Sequence, residues 1–201
     1  MTNKRIDMSN DLCFYVMKPS YFGLAINKKE KGNQKLEKSG ILGVDIGGVI
    51  IDKANDNTDT SFFGKNYLDT TATLDVFDAL RRLKAERYKD VFLVSKCGPN
   101  TQEKTIRWLA YHDFYELIGI GSDHVRFCRK RNEKAPVCLE LGITDFVDDR
   151  LEVLSYFGPG VTTRYLFQSN PKEVKRFEAH LGGVIRVESW DEIVRRELPL
   201  V

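Results

Sequence analysis

Polar side chains close or open apolar segments at a few points in this chain, and their types suit one kind of chemistry. Asp45 lies within LGVDIGGVIID (42–52), Ser95 and Lys96 end VFLVSK, Lys134 opens KAPVCLELG, and Asp148 and Asp149 end DFVDD. Carboxylates crowded together repel unless a divalent cation sits among them, and an all-oxygen ligand set suits Mg²⁺. Asp45, Asp148 and Asp149 are therefore the candidate metal ligands. A metal beside a lysine is a strong trap for a phosphoryl group. That makes Lys134, Ser95, Lys96 and the glycine turn at Gly48 the candidate phosphate contacts. Each residue has a plainer reading when taken singly. An aspartate at a strand end often caps the next helix, and a lysine that follows RKRNE is usually solvated. The grouping, with Lys134 fourteen positions before Asp148, favours phosphate chemistry because that spacing holds one short helix, one turn and one strand.

Those residues must be positioned by regular elements, which the pattern supplies from Ile41 onward. ILGVD, VFLVSK, HVRFC, DFVDD, TTRYLFQ and VIRVES read as short strands. Between them, ATLDVFDALRRLKAE predicts a helix with Leu74, Phe77, Ala79, Leu80 and Leu83 near one face. TQEKTIRWLAYHDF predicts another, with Ile106, Leu109, Ala110 and Phe114 as its apolar stripe. KAPVCLELG, RLEVLSYF, PKEVKRFEAHLG and WDEIVRREL complete the alternation, with Pro171 suited to a first helical turn. Strands alternating with helices imply a doubly wound, three-layer α/β fold with a mostly parallel sheet. In such sheets ligands bind beyond the carboxyl ends of the strands, where the polar residues above fall.

Two families carry a motif like GVDIGG. Actin-like sugar kinases have a similar hairpin, but they need a second related domain and a second glycine-rich phosphate loop, and none follows Ile51. The chain instead resembles the haloacid dehalogenase-like superfamily over most of residues 41–157. The four motifs occur in order: Asp45-Ile46-Gly47-Gly48-Val49, Val91 to Ser95, Lys134 ahead of a helix, and Val147-Asp148-Asp149. The resemblance implies a Rossmann-like core in which Asp45 is the nucleophile and a metal ligand, and Ser95 and Lys134 hold the phosphate. It also implies that the Gly47 backbone carbonyl joins Asp148, Asp149 or both around Mg²⁺. The chain departs from the family at Gly47. Phosphatases of the family carry a second aspartate there, which protonates the leaving oxygen and then activates water. Asp52, Asp56, Asp59 and His112 are available as substitutes, and none has the family's position.

Composition sets broader bounds. The 201 residues are expected to form an N-terminal extension over 1–39, with a hairpin around Phe14 to Ile26 and a polar run after it, and one core domain over 40–201. Thirty-one basic against twenty-nine acidic side chains leave a net charge of +2, so no global field announces a nucleic-acid or membrane partner. The run Arg129-Lys130-Arg131 reads first as a solvated loop, and any nucleic-acid or phosphoprotein contact would have to use such a local patch. No apolar stretch approaches the ~20 residues of a membrane span, and the opening residues lack a signal-peptide pattern. Cys13, Cys97, Cys128 and Cys138 are far apart, which points to core thiols and a cytoplasmic setting.

The stretch 52–69 is long enough for a flap and too short for a folded cap, with Phe62-Phe63 as its anchor. An open site follows, suited to a large phosphorylated substrate unless the extension or a second subunit covers it. Two functions fit: a Mg²⁺-dependent phosphohydrolase with impaired acid–base catalysis, or a non-catalytic phosphate- or partner-binding protein on the same fold.

Overall fold

In the computed structural model, which describes residues 37–53 and 62–199, six apolar runs pair in parallel. They are β1 (Ile41–Val44), β2 (Asp90–Lys96), β3 (Val125–Cys128), β4 (Asp145–Asp148), β5 (Thr163–Phe167) and β6 (Val184–Val187). Their order across the sheet is β3-β2-β1-β4-β5-β6. The chain therefore winds outward from β1 to β3 and then crosses back to lay β4 on the other side of β1. That reversal opens a crevice at the carboxyl ends of β1 and β4, the position at which doubly wound sheets bind ligands. The hairpin expected near Phe14 to Ile26 lies outside the described residues.

Alternation along each strand sends side chains to opposite faces. Leu42, Val44, Val91, Leu93, Val147, Tyr165 and Phe167 enter one buried cluster, which α1 (Val76–Glu86), α2 (Pro99–Tyr111), α3 (Phe114–Ile118) and α7 (Trp190–Glu197) cover. Val94, Phe146 and Leu166 enter the other, under α4 (Lys134–Glu140), α5 (Leu151–Leu154) and α6 (Pro171–Arg176). Helices on both faces make the three layers. Each fully buried aliphatic or Phe side chain in these clusters contributes roughly 1.5–3 kcal/mol.

Two helices differ from the periodicity. Asp75 adopts φ 60°, so α1 begins at Val76 and Leu74 is left outside it, 81% exposed. The run from Thr101 to Phe114 is broken by Asp113, at φ 51°, into α2 and the short α3. The buried stripe of α2 is Thr105, Trp108 and Leu109, while Ile106 and Ala110 face solvent. The reason is tertiary: Trp108 Nε1 donates to Thr70 O at 2.9 Å, and this contact fixes the rotation of the helix.

Close packing between β1 and β4 requires Gly43. A Cβ there would lie 2.4 Å from Phe146 Cδ2 and 2.9 Å from Ile143 Cγ2. Gly43→Ala is expected to cost about 1–3 kcal/mol by overpacking, read as a lower urea midpoint with an unchanged m-value.

Candidate active site

The loop leaving β1 turns sharply. Asp45 N donates to Val147 O at 2.9 Å, which ties the loop to β4, and Ile50 N and Ile51 N both donate to Ile46 O at 2.9 Å. Gly48, at φ 82°, supplies the left-handed step that this turn needs. Trp190 Nε1 donates to Val49 O at 3.0 Å and anchors the loop from α7. An isolated bridge from Ile51 to Ala72 closes the base of the flap.

A cavity of about 440 Å³ opens over these carboxyl ends. It brings together Asp45, Lys134, Asp148 and Asp149, and around them Gly47, Gly48, Ser95 and Lys96. The three aspartates each offer one oxygen, and these oxygens lie within 4.8 Å of one another. The donor set is all carboxylate, and it fits a hard divalent cation.

Lys134 is buried between two of the acids. Its Nζ lies 2.8 Å from Asp45 Oδ1 and 2.7 Å from Asp148 Oδ2, and 5.6 Å from the centre of the Phe146 ring. Burial pulls its pKa down, but the Asp148 and Asp45 carboxylates more than offset this and hold it above the ordinary lysine value. Lys134 therefore stays charged. Burial pushes Asp148 up to about 6 against the attraction of Lys134, with Asp45 adding to the rise. Asp148 uses both oxygens, since Oδ1 accepts from Arg150 N at 2.9 Å.

Asp149 is held differently, by the exposed Lys53 ammonium. Burial, followed by the nearby Arg150, lowers the Lys53 pKa. Within the cluster itself three carboxylates meet two ammonium groups, while Lys96, Arg131 and Arg150 add positive charge elsewhere in the cavity wall. The oxygen-rich cluster is the part of the cavity that suits a divalent cation.

The remaining candidates divide. Asp52 lines the cavity. His112 does not: its Nε2 is 2.8 Å from Leu68 O and its ring packs on Trp108. Asp56 and Asp59 lie outside the described residues. The basic run is at the surface, as expected, with Arg129 and Lys130 exposed, but two of its side chains have partners. Arg129 donates to Cys97 O at 2.7 Å, and Arg131, in the cavity wall, pairs with Glu152 at 2.8 Å. Cys97 also lines the cavity, but burial raises its thiol pKa against the partial offset of Arg129, so it is a poor nucleophile. Lys53, Arg150, Thr101 and Thr105 were not expected from the sequence, and Arg131 was expected only as part of a basic surface patch. Only the proximity of Lys53 to the first motif could have singled it out.

The molecule is thus an α/β protein of Rossmann-like architecture with an acid-and-lysine cavity at its switch point. No family model matches the sequence, and no curated protein matches it. Among solved structures, it is similar to the crystal structure of a D,D-heptose 1,7-bisphosphate phosphatase from Burkholderia thailandensis. The TM-score is 0.51 at 13% identity, over 81% of this chain and 100% of that one. At that identity the likeness shows the fold. Among the described residues, no helix is long and apolar enough to cross a membrane.

Proposed function

We propose that this chain is a Mg²⁺-dependent phosphohydrolase of the haloacid dehalogenase-like type, built on residues 40–201 and working with impaired acid–base catalysis. The observation that carries the reading is the buried Asp45–Lys134–Asp148 triad beside Asp149 at the switch point. Its substrate is a phosphorylated molecule that reaches the cavity from solvent. A phosphatase among its structural neighbours is in keeping with this, as is a cytoplasmic setting with the buried free thiols Cys97, Cys128 and Cys138.

Asp45 Oδ1 is committed to Lys134, which leaves Oδ2 to attack phosphorus. A new O–P bond forms as the bond to the leaving oxygen breaks, and the leaving group departs with that electron pair. Lys134 offers its remaining N–H and charge to the phosphoryl oxygens, and the Ser95 hydroxyl, Lys96 and the backbone at Gly48 complete the cradle. Asp45, Asp149 and the Gly47 carbonyl would hold Mg²⁺, with Asp148 adding its charge while it restrains Lys134. When bound, the metal supplies charge neutralisation between the nucleophile and the incoming phosphoryl dianion. Asp52, which lines the cavity, is our candidate to help water attack the aspartyl phosphate.

The specific observation favouring a non-catalytic reading is Gly47, which leaves no carboxylate at the family's acid–base position. Phosphate release from p-nitrophenyl phosphate separates the two. The wild-type protein should release phosphate with Mg²⁺, and EDTA or Asp45→Asn should remove the signal. Equal rates for wild type and Asp45→Asn would leave only the binding role.

Metal binding can be tested apart from turnover. Mg²⁺ at one hundred times its Kd should stabilise the protein by about 2.7 kcal/mol, seen as a raised Tm. Asp149→Asn should abolish that shift while sparing the Lys134 contacts. A shift that survives in Asp149→Asn would remove this residue from the ligand set.

A further inference from the structure

A second cavity of about 390 Å³ adjoins the first and shares Lys53, Asp149 and Arg150 with it. Its other charged walls come from α6: Lys172, Glu173 and Arg176. Four cations thus face two carboxylates, an excess of positive charge. Asp149 pairs with Lys53 and belongs to the acidic cluster, so it does not reach the other three cations. Glu173 accepts from Leu151 N at 3.1 Å and from Glu152 N at 2.8 Å, so it is committed to the start of α5. Among the described residues, Arg150, Lys172 and Arg176 have no carboxylate within ion-pair distance. Three helix and loop cations left unpaired around one recess, next to a site for phosphoryl chemistry, are arranged to receive an anion.

We propose that this recess, walled by Lys53, Arg150, Lys172 and Arg176, is a second phosphate subsite, so that the substrate is a small molecule carrying two phosphoryl groups. The inference rests on the phosphohydrolase reading for the first cavity, where one group is cleaved while the other is held. Cation recesses of this kind select by charge and position the reacting end through remote binding. Two features favour a small bisphosphate over a nucleic-acid chain. The two recesses adjoin, and each is of the ~300–1,000 Å³ size that suits a small ligand. The net charge of +2 also supplies no extended field for a polyanion.

The test uses Asp45→Asn protein with Mg²⁺, so that ligands bind without being consumed. Calorimetry compares a series of α,ω-alkanediol bisphosphates, two to six carbons long, with the matched monophosphates. The best bisphosphate should bind at least about tenfold tighter than its monophosphate, as expected for added charge-assisted contacts. Adding Lys172→Gln and Arg176→Gln should reduce that ratio to about twofold or less while monophosphate binding is unchanged. No preference at any length, or a preference that survives the two substitutions, overturns the subsite. Tighter binding of a 5′-phosphorylated thymidine octamer than of the best bisphosphate overturns the small-molecule assignment. Turnover is read separately, as phosphate release from p-nitrophenyl phosphate by the wild-type chain with Mg²⁺. A failure of the hydrolase reading therefore shows as absent turnover with the binding preference intact.

Discussion

Gly47→Asp is expected to raise hydrolysis of an alkyl phosphate by about 10²–10⁴-fold, the usual contribution of a positioned general acid–base. The backbone permits the change. Gly47 is exposed, lines the cavity, keeps a φ that other residues adopt, and a Cβ added there meets nothing within 4 Å. The loop's hydrogen bonds run through Gly48, Ile50 and Ile51, and none needs the absent side chain. The gain should depend on the leaving group. An alkoxide needs a proton as it departs, whereas p-nitrophenolate needs little help, so the aryl ester should gain much less. Rates on the two esters, measured side by side, check this. Equal gains on both would mean that the aspartate acts elsewhere, and no gain on either would mean that this position is not where protons move.

Lys134→Met should destabilise the fold by about 3–5 kcal/mol, the typical result of removing one partner from a buried ion pair. The substitution keeps a chain of similar length against Phe146 but strips the ammonium from between Asp45 and Asp148. Two buried carboxylates then face each other without a counter-charge. Urea denaturation without metal reads the loss directly. Adding Asp148→Asn to Lys134→Met should recover part of it, because one uncompensated charge is removed. A Lys134→Met protein as stable as wild type would mean that the ammonium is not needed to offset those carboxylates.

The fold was legible because each strand is a short run of β-branched and aliphatic residues bounded by polar turns. All six runs read from the sequence became strands, and the parallel arrangement followed from the helices between them. Helix limits were less legible. Asp75 and Asp113 take left-handed backbone that no periodicity announces, so Leu74 fell outside α1 and Phe114 passed to a separate helix. The gathering of Asp45, Ser95, Lys134, Asp148 and Asp149 in one cavity was legible because strand ends converge at a switch point. The cations were not. Lys53, Arg131 and Arg150 look like ordinary solvated charges in one dimension, and their placement depends on how the crossovers fold back. Arg129 and Arg131 show the same limit from the other side, since their partners Cys97 and Glu152 lie on other segments of the chain.

The two indole anchors have a practical corollary. The chain has two tryptophans, both buried, and their ring nitrogens bind Val49 O and Thr70 O. Val49 belongs to the first motif, and Thr70 lies just ahead of the Ile51–Ala72 bridge. Intrinsic fluorescence of this protein is therefore a built-in optical reporter with one emitter anchored at the first motif and the other at Thr70. Conservative replacement of one indole at a time would assign the signal to the first motif or to Thr70 without attaching any dye.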